Sequence, residues 1–272
     1  MEALSFMIEK ERSEGIFSGI QTPLNGPMVS HLFYANDVII LGDWSNSNIA
    51  NMVRILQVFH ICSVLKINIA NSNLYAIGVS NGQIKNMAEV IGCQADEFPF
   101  RYLGLIVGAN MNRVSNWKPM YNLVDARLAK WNAALLSIGG RITLIRSVLE
   151  CLPNYYFSLY KAPVQVVKDI EAKIRNFLWG GSNSVSMVHW VAWDRVAMPL
   201  DKGGLALNKL KNINISLLVK WGWRFKVDKD KLWVKVIEAV HKSRSNWDVF
   251  PVKKSMGGGL VQYSESDGKD IG

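Results

Sequence analysis

Residues 31–44 read HLFYANDVIILGDW, and this stretch decides how the rest of the chain is interpreted. Two short apolar runs, residues 32–34 and 38–41, flank Ala35-Asn36-Asp37. Asn and Asp between β-prone runs are typical of a tight turn. The pattern therefore predicts a β-hairpin with Asp37 at its tip. On the pattern alone, an ordinary hairpin whose polar turn faces water is the simpler interpretation.

Tyr34-Ala35-Asn36-Asp37 resembles the aromatic-Ala-Asp-Asp box of reverse transcriptases, specifically those of plant LINE-type (non-LTR) retrotransposons. In that family the first Asp of the box joins an Asp from an earlier palm strand, and together they hold two Mg²⁺ ions for nucleotide addition. Here Asn36 stands at the first position and offers only a neutral carbonyl oxygen. The resemblance thus implies Asn36 and Asp37 as the catalytic positions, with Asp37 as a weak Mg²⁺ ligand.

No Asp occurs before Asp37, and the earlier acidic residues Glu2, Glu9, Glu11 and Glu14 fall in one helical segment. None of them lies in a strand-like run that could face the hairpin. We therefore expect a truncated palm that does not bind Mg²⁺ productively.

The 272 residues are 49% hydrophobic, which is enough for a sizeable core. No apolar run approaches the length needed to cross a bilayer, and the N-terminus lacks the pattern of a secretory signal. An intracellular protein is expected, in the nucleus or the cytoplasm. Cys62, Cys93 and Cys151 are scattered, which favours three reduced structural thiols over a zinc site.

The net charge of +9 is unevenly distributed. Residues 1–110 hold six basic and nine acidic residues, whereas residues 111–242 hold twenty-one basic and nine acidic residues, a net charge of +12. Eight tryptophans are interleaved with the basic block: Trp117, Trp131, Trp179, Trp190, Trp193, Trp221, Trp223 and Trp233. The composition fits a phosphate-binding surface with aromatic anchors, or a solvated basic face on a tryptophan-rich helical core.

Apolar spacing in the first part of the chain predicts helices separated by short strands. The predicted segments are a helix over 2–13, a strand over 16–20, a helix over 46–63, a strand over 74–79 and a helix over 81–92. Residues 65–68 resemble the family's Gly-Leu-Lys-Ile-Asn signature, with Val64 in place of Gly. Asn71 stands where the family has a Lys near the triphosphate, so the resemblance implies a second missing active-site charge.

Residues 100–108 read FRYLGLIVG, which predicts two strands separated at Gly104. Tyr102, Leu103 and Gly104 resemble the family's primer-grip element, and the resemblance implies that they contact the primer end. A plain edge hairpin is the alternative.

From residue 113 onward the periodicity is helical. It predicts a first helix from about Pro119, whose apolar face extends to Leu135. A second helical stretch runs from Ile142 to Leu152, and a third helix has Val167 and Leu178 on its apolar face. The segment resembles a polymerase thumb, and residues 136–149, LSIGGRITLIRSVL, are highly specific to the plant LINE family. Residues 189–205 and 217–225 extend the resemblance into the connection that follows the thumb. Helical spacing turns five cations away from the apolar faces, as candidate nucleic-acid contacts: Arg127, Lys130, Lys168, Lys173 and Arg175.

Together these features predict an α+β fold in which a truncated reverse-transcriptase palm, an antiparallel sheet with helices, precedes an all-helical thumb and connection. The predicted segments are 1–110, 111–242 and a disordered tail, 243–272. The resemblance implies an inactive remnant of an RNA-directed DNA polymerase. The alternatives are a non-enzymatic, sequence-independent nucleic-acid-binding module or a pseudogene product without function. The expected partner is RNA or an RNA–DNA hybrid duplex, with no membrane and no small-molecule cofactor.

Overall fold

The computed structural model describes residues 2–131, 133–180 and 188–241. The predicted tail, residues 243–272, lies outside this range. The described residues form ten α-helices: α1 (Glu2–Ser13), α2 (Asn46–Ser63), α3 (Asn81–Ile91), α4 (Lys118–Leu128), α5 (Ile138–Leu144), α6 (Asn154–Phe157), α7 (Val164–Leu178), α8 (Trp193–Val196), α9 (Leu210–Val227) and α10 (Leu232–His241). The strands are β1 (Ile20–Gln21), β2 (Met28–Val29), β3 (His31–Tyr34), β4 (Asp37–Ile40), β5 (Asn73–Leu74), β6 (Gln94–Ala95), β7 (Phe100–Tyr102) and β8 (Leu105–Val107).

The described chain divides into two structural units. The first unit contains residues 2–100 and 228–241, and the second contains residues 101–227. Helix α10 belongs to the first unit, although it lies far from the rest of that unit in sequence. Gly26 explains part of this association, because a Cβ atom at that position would clash with the Cβ of Ala239 in α10.

The core of the first unit forms where α1 packs on α2. Its buried residues are Leu4, Ile8, Phe17, Ile55 and Phe59, and the hairpin residues Phe33 and Ile40 pack against them. Asn48, near the start of α2, is buried and satisfies three backbone groups. Its Oδ1 accepts from Ser18 N at 2.7 Å, and its Nδ2 donates to the carbonyls of Ser18 at 2.8 Å and Asp43 at 3.0 Å. These bonds fix the loop that enters α2.

The mixed helix and strand content agrees with an α+β fold, but the strands do not form one antiparallel sheet. They form four separate two-stranded pairs, and β5 with β6 is parallel. The predicted strand over 74–79 is reduced to Asn73–Leu74. A 3₁₀ turn over Ile69–Asn71, in which Asn68 Oδ1 accepts from Asn71 N, comes directly before this short strand.

The second unit is a helical bundle around α7. Its buried residues come from every helix between α4 and α9 except α5, and from the π-helical turn Ile145–Leu149 that continues α5. The predicted helix from Pro119 to Leu135 is shorter than the spacing suggested, because α4 ends at Leu128 and residues Ala133–Leu135 form a 3₁₀ turn. Arg141 holds this turn, since its Nε donates to the carbonyls of Ala133 and Leu136.

Three further features of the described residues concern the cysteines, the length of the helices and one peptide bond. Cys62, Cys93 and Cys151 are free thiols. Among the described helices none has the length and apolar character needed to cross a membrane. The peptide bond between Phe98 and Pro99 is cis.

Candidate nucleic-acid interface

The hairpin predicted around residues 31–41 is present, and its turn differs by one position from the prediction. Tyr34 pairs with Asp37 across the two strands, so the tip consists of Ala35 and Asn36, and Asp37 is the first residue of β4. Ala35 has a φ of 50°, a left-handed conformation that costs energy in a residue with a Cβ. Tyr34, Asn36 and Asp37 are all exposed at this end.

The other end of the hairpin is fixed by His31. Its Nε2 lies 2.7 Å from Ser5 Oγ of α1, and its Nδ1 lies 3.0 Å from Ser30 Oγ. The ring also lies 4.7 Å, centroid to centroid, from Phe33. Desolvation lowers the pKa of His31 below its usual value, with a smaller opposing effect of Glu9. The hairpin is thus anchored to α1 at its base and projects its tip into solvent.

The groups at this tip do not fit a Mg²⁺ site. Mg²⁺ requires a near-octahedral set of oxygen ligands that includes anionic ones. Asp37 supplies one exposed carboxylate, and Asn36 beside it supplies an uncharged amide. Across the described residues, no three His, Cys, Asp or Glu side chains gather in a way that could hold a metal ion.

The Tyr102-Leu103-Gly104 element forms the turn of a second hairpin, between β7 and β8. Leu103 and Gly104 both have positive φ, 49° and 80°, which is the conformation of a tight two-residue turn. Two tyrosine hydroxyls of α6 hold this turn. Tyr155 Oη donates to Leu103 O at 3.0 Å, and Tyr156 Oη donates to Gly104 O at 2.8 Å.

Sequence reasoning missed the two tyrosines because they lie about fifty residues away from the turn. Tyr156 is buried, and desolvation raises its pKa above the ordinary value, so the hydroxyl stays protonated and able to donate. The two tyrosine hydrogen bonds, together with the packing of Leu105 against the core of the second unit, join the β7–β8 hairpin to the helical bundle. The sequence signal for this contact is the pair of adjacent tyrosines after Pro153.

Three of the five predicted cations, Arg127, Lys130 and Lys168, are exposed. Arg127 precedes the buried Leu128 on α4, so it flanks the buried stripe of that helix on one side. Lys168 lies on α7, next to the buried Val167. These positions agree with the helical spacing from which they were selected.

The remaining two, Lys173 and Arg175, have structural contacts. Lys173 Nζ lies 2.6 Å from Asp125 Oδ1 and joins α7 to α4. Asp125 flanks the buried stripe of α4 on the side opposite to Arg127, so the five cations do not converge on one patch. Arg175 is half-buried, and its Nε is enclosed without a hydrogen-bond partner. The structure differs here from the prediction that Arg175 faces away from the core.

The two units differ strongly in net charge. Residues 101–227 contain eighteen basic and six acidic residues, a net charge of +12. The first unit contains eight basic and twelve acidic residues within its described range, a net charge of −4. Fourteen of the eighteen cations of the second unit are exposed.

The acidic side chains of the second unit mostly serve its internal structure. Glu150 is buried and accepts from Asn208 N and Nδ2, at 2.8 and 2.7 Å. Glu171 accepts from Leu210 N at 2.9 Å and caps α9, and desolvation raises its pKa. Asp169 accepts from Tyr121 Oη and Gln165 Nε2. Asp125 and Asp194 pair with Lys173 and Lys209, the latter pair at 2.8 Å. Most cations therefore remain at the surface without a carboxylate beside them.

Comparisons with known proteins give one distant relative and no family model. A scan against protein-family models finds no match. The chain is similar to "Putative ribonuclease H protein" of Arabidopsis thaliana, with 33% identity over 115 residues. The similar region covers 42% of this chain and 18% of the length of the Arabidopsis protein.

Proposed function

We propose that this chain binds nucleic acid duplexes without reading their sequence, through the exposed cations of its helical second unit. We further propose that it derives from the palm, thumb and connection of a plant LINE-type reverse transcriptase. In this proposal the 272-residue chain by itself does not polymerise DNA.

The observation that carries the proposal is the charge arrangement of residues 101–227. Their net charge is +12, fourteen cations are exposed, and five of six carboxylates are engaged in internal contacts. A surface that only needs solubility is well served by interspersed charges of both signs. An excess of exposed Lys and Arg instead attracts the phosphate backbone and releases its counterions.

Two further observations support the proposed origin and partner class. The chain carries several separate motifs that resemble the plant LINE family, at residues 34–37, 65–68, 102–104 and 136–149. The Arabidopsis relative is named for a nuclease, which supports nucleic acid as the partner class.

A charge-reversal experiment tests the binding. The triple variant Arg127→Glu, Lys130→Glu, Lys168→Glu changes only exposed cations and leaves the Lys173–Asp125 ion pair intact. A labelled duplex is titrated at several salt concentrations. Each lost phosphate contact should reduce the slope of log K against log salt by about 0.9 on B-form DNA. We expect a weaker affinity and a slope shallower by about 3.

The matched control reverses three exposed lysines of the first unit, Lys10, Lys66 and Lys85, and so changes the net charge by the same amount. This variant should bind like the wild type. Equal losses in both variants would mean that net charge alone drives association, and an unchanged midpoint in the first variant would leave only a solubility role for its cations.

Primer extension tests the proposed lack of activity. A two-metal site needs carboxylates from separate chain segments. The hairpin tip supplies one carboxylate, that of Asp37, and the described residues contain no group of three side chains that could hold a metal ion. Neither the wild-type chain nor Asn36→Asp should extend a primed RNA template in the presence of Mg²⁺. Incorporation of nucleotides by either protein would refute this part of the proposal.

A further inference from the structure

Helix α9 exposes an aromatic side chain at the centre of a basic face. Its buried residues are Leu210, Asn214, Leu218 and Gly222, spaced four residues apart along one stripe. Trp223 lies half a helical turn away from Asn214 in projection and therefore points directly outward. It is 69% exposed. The large, flat ring is therefore available to a ligand.

The charged residues of α9 next to Trp223 are all basic. Lys220 lies one turn before it and Lys226 one turn after it, and both are exposed. Helix α9, from Leu210 to Val227, contains four basic residues and no Asp or Glu. An exposed tryptophan with lysines on either side is the combination found in surfaces that bind single-stranded nucleic acid. There the bases stack on aromatic rings and the phosphates contact the cations.

A cation–π contact lies next to this face of α9. The guanidinium of Arg224 lies 5.1 Å from the ring centroid of Trp221, a cation–π arrangement. Trp221 is half-buried and belongs to the inner side of α9, whereas Trp223 is on the outer side. The two tryptophans of the KWGWRF segment thus have different positions: one supports the helix and the other is presented to solvent.

We propose that Trp223 is a stacking platform for an unpaired base, and that Lys220 contacts a phosphate of the same strand. The partner class is single-stranded DNA or RNA. Lys220 is one of the fourteen exposed cations of the second unit and so rests on the proposed function, whereas the ring of Trp223 has no part in the proposed duplex binding. The two assignments can therefore fail independently.

The platform is tested by removing the aromatic ring and, separately, the bases of the ligand. Wild type and Trp223→Ala are titrated with a labelled twelve-residue oligothymidylate and with an abasic strand of the same length. Stacking of one base is worth about 1–3 kcal/mol, so Trp223→Ala should weaken oligothymidylate binding about tenfold. It should leave abasic-strand binding unchanged. Trp223→Phe, which retains a ring, should recover most of the loss.

Three further measurements test whether the loss is specific to Trp223, whether Lys220 contacts a phosphate and whether the variant keeps its fold. Trp190→Ala removes another exposed tryptophan, one that is 80% exposed, and should not change either affinity. Lys220→Ala should reduce the salt slope on both strands by about 0.7. Circular dichroism should be unchanged in Trp223→Ala, because the side chain is mostly exposed.

Several outcomes would overturn the inference. Equal affinity of wild type and Trp223→Ala for oligothymidylate refutes the platform, and so does an equal loss on the abasic strand. A wild type that binds duplex but no single strand refutes it while leaving the proposed function standing. A dimer of the wild type that Trp223→Ala converts to a monomer would assign this face to self-association instead.

Discussion

Asn214 shows how much of the second unit depends on a single buried amide. Its Oδ1 accepts from Ala162 N at 3.0 Å, and its Nδ2 donates to Phe157 O at 2.9 Å and Tyr160 O at 2.8 Å. The side chain thereby links α9 to the last residue of α6 and to the segment between α6 and α7. The sequence pattern does not reveal this role, because an Asn within an apolar helical stripe is indistinguishable there from a polar interruption.

Asn214→Ala should therefore be strongly destabilising. It leaves one buried donor and two buried acceptors without partners, and unsatisfied buried groups cost about 1–3 kcal/mol each when they cannot find water. We expect the free energy of unfolding to fall by about 3 kcal/mol in urea denaturation. The control Asn212→Ala removes an exposed amide from the same helix. If both variants lose the same small amount, the three hydrogen bonds do not contribute as described.

His31 makes the first unit sensitive to acid. Desolvation lowers its pKa in the folded state below 6.5, so the unfolded chain binds a proton that the folded chain does not. The stabilisation is present above pH 6.5 and is lost as the pH falls through the interval below that value. We expect the free energy of unfolding to decrease between pH 7.5 and 5.5.

The variant His31→Gln should show a flatter dependence over this interval, measured by urea denaturation at each pH. His60→Gln, which changes an exposed histidine of α2, should keep the slope of the wild type. A wild-type slope in His31→Gln would assign the pH dependence to other groups.

At the scale of elements, the local sequence specifies most helices and turns because their causes are local. Helix α2 spans residues 46–63 as predicted, and Ser45 caps it by accepting from Asn48 N at 3.1 Å. Helix α4 ends early for a reason outside the helix. Arg141 binds the carbonyls of Ala133 and Leu136 and also donates to Leu178 O at 2.9 Å, so it ties the following turn to the end of α7.

The β7–β8 hairpin gives a prediction at this scale. Its turn at Leu103 and Gly104 is held by Tyr155 and Tyr156 of α6, and two strands of three residues have little stability of their own. Tyr156→Phe removes one hydroxyl and should lower the free energy of unfolding by about 1 kcal/mol. It should also speed amide exchange in residues 105–107.

Tyr34→Phe is the matched control, because this tyrosine is 63% exposed at the tip of the other hairpin. Its stability and its exchange rates should equal those of the wild type. Unchanged exchange in Tyr156→Phe would show that the hairpin is held by its apolar contacts with the bundle and not by the hydroxyl.

At the scale of the whole molecule, the two units differ in the size of their cores. The second unit buries twenty residues in one continuous cluster, whereas the helical core of the first buries five. Fewer buried apolar contacts mean a lower free energy of local opening.

Limited proteolysis should therefore cut the first unit before the second. We expect a resistant fragment that begins near Arg101 and retains α4 to α9, identified by mass spectrometry. The first unit, including α10, should be degraded at lower protease concentration. A protected core that starts at the N-terminus would show that the α1–α2 core is the more stable one.

The sequence by itself determined the features that arise from neighbouring residues. These are the bounds of α1 and α2, the presence of a hairpin between residues 31 and 41, the separation of two strands at Gly104 and the concentration of positive charge after residue 110. Tertiary structure decided the features that depend on distant residues. It placed α10 with the first unit, closed Lys173 into an ion pair with Asp125, enclosed Arg175 and directed two tyrosines onto the Leu103–Gly104 turn. The reason is physical: periodicity and turn chemistry act within a few residues, whereas the partners of a buried polar group are chosen only when the packed core brings remote segments together.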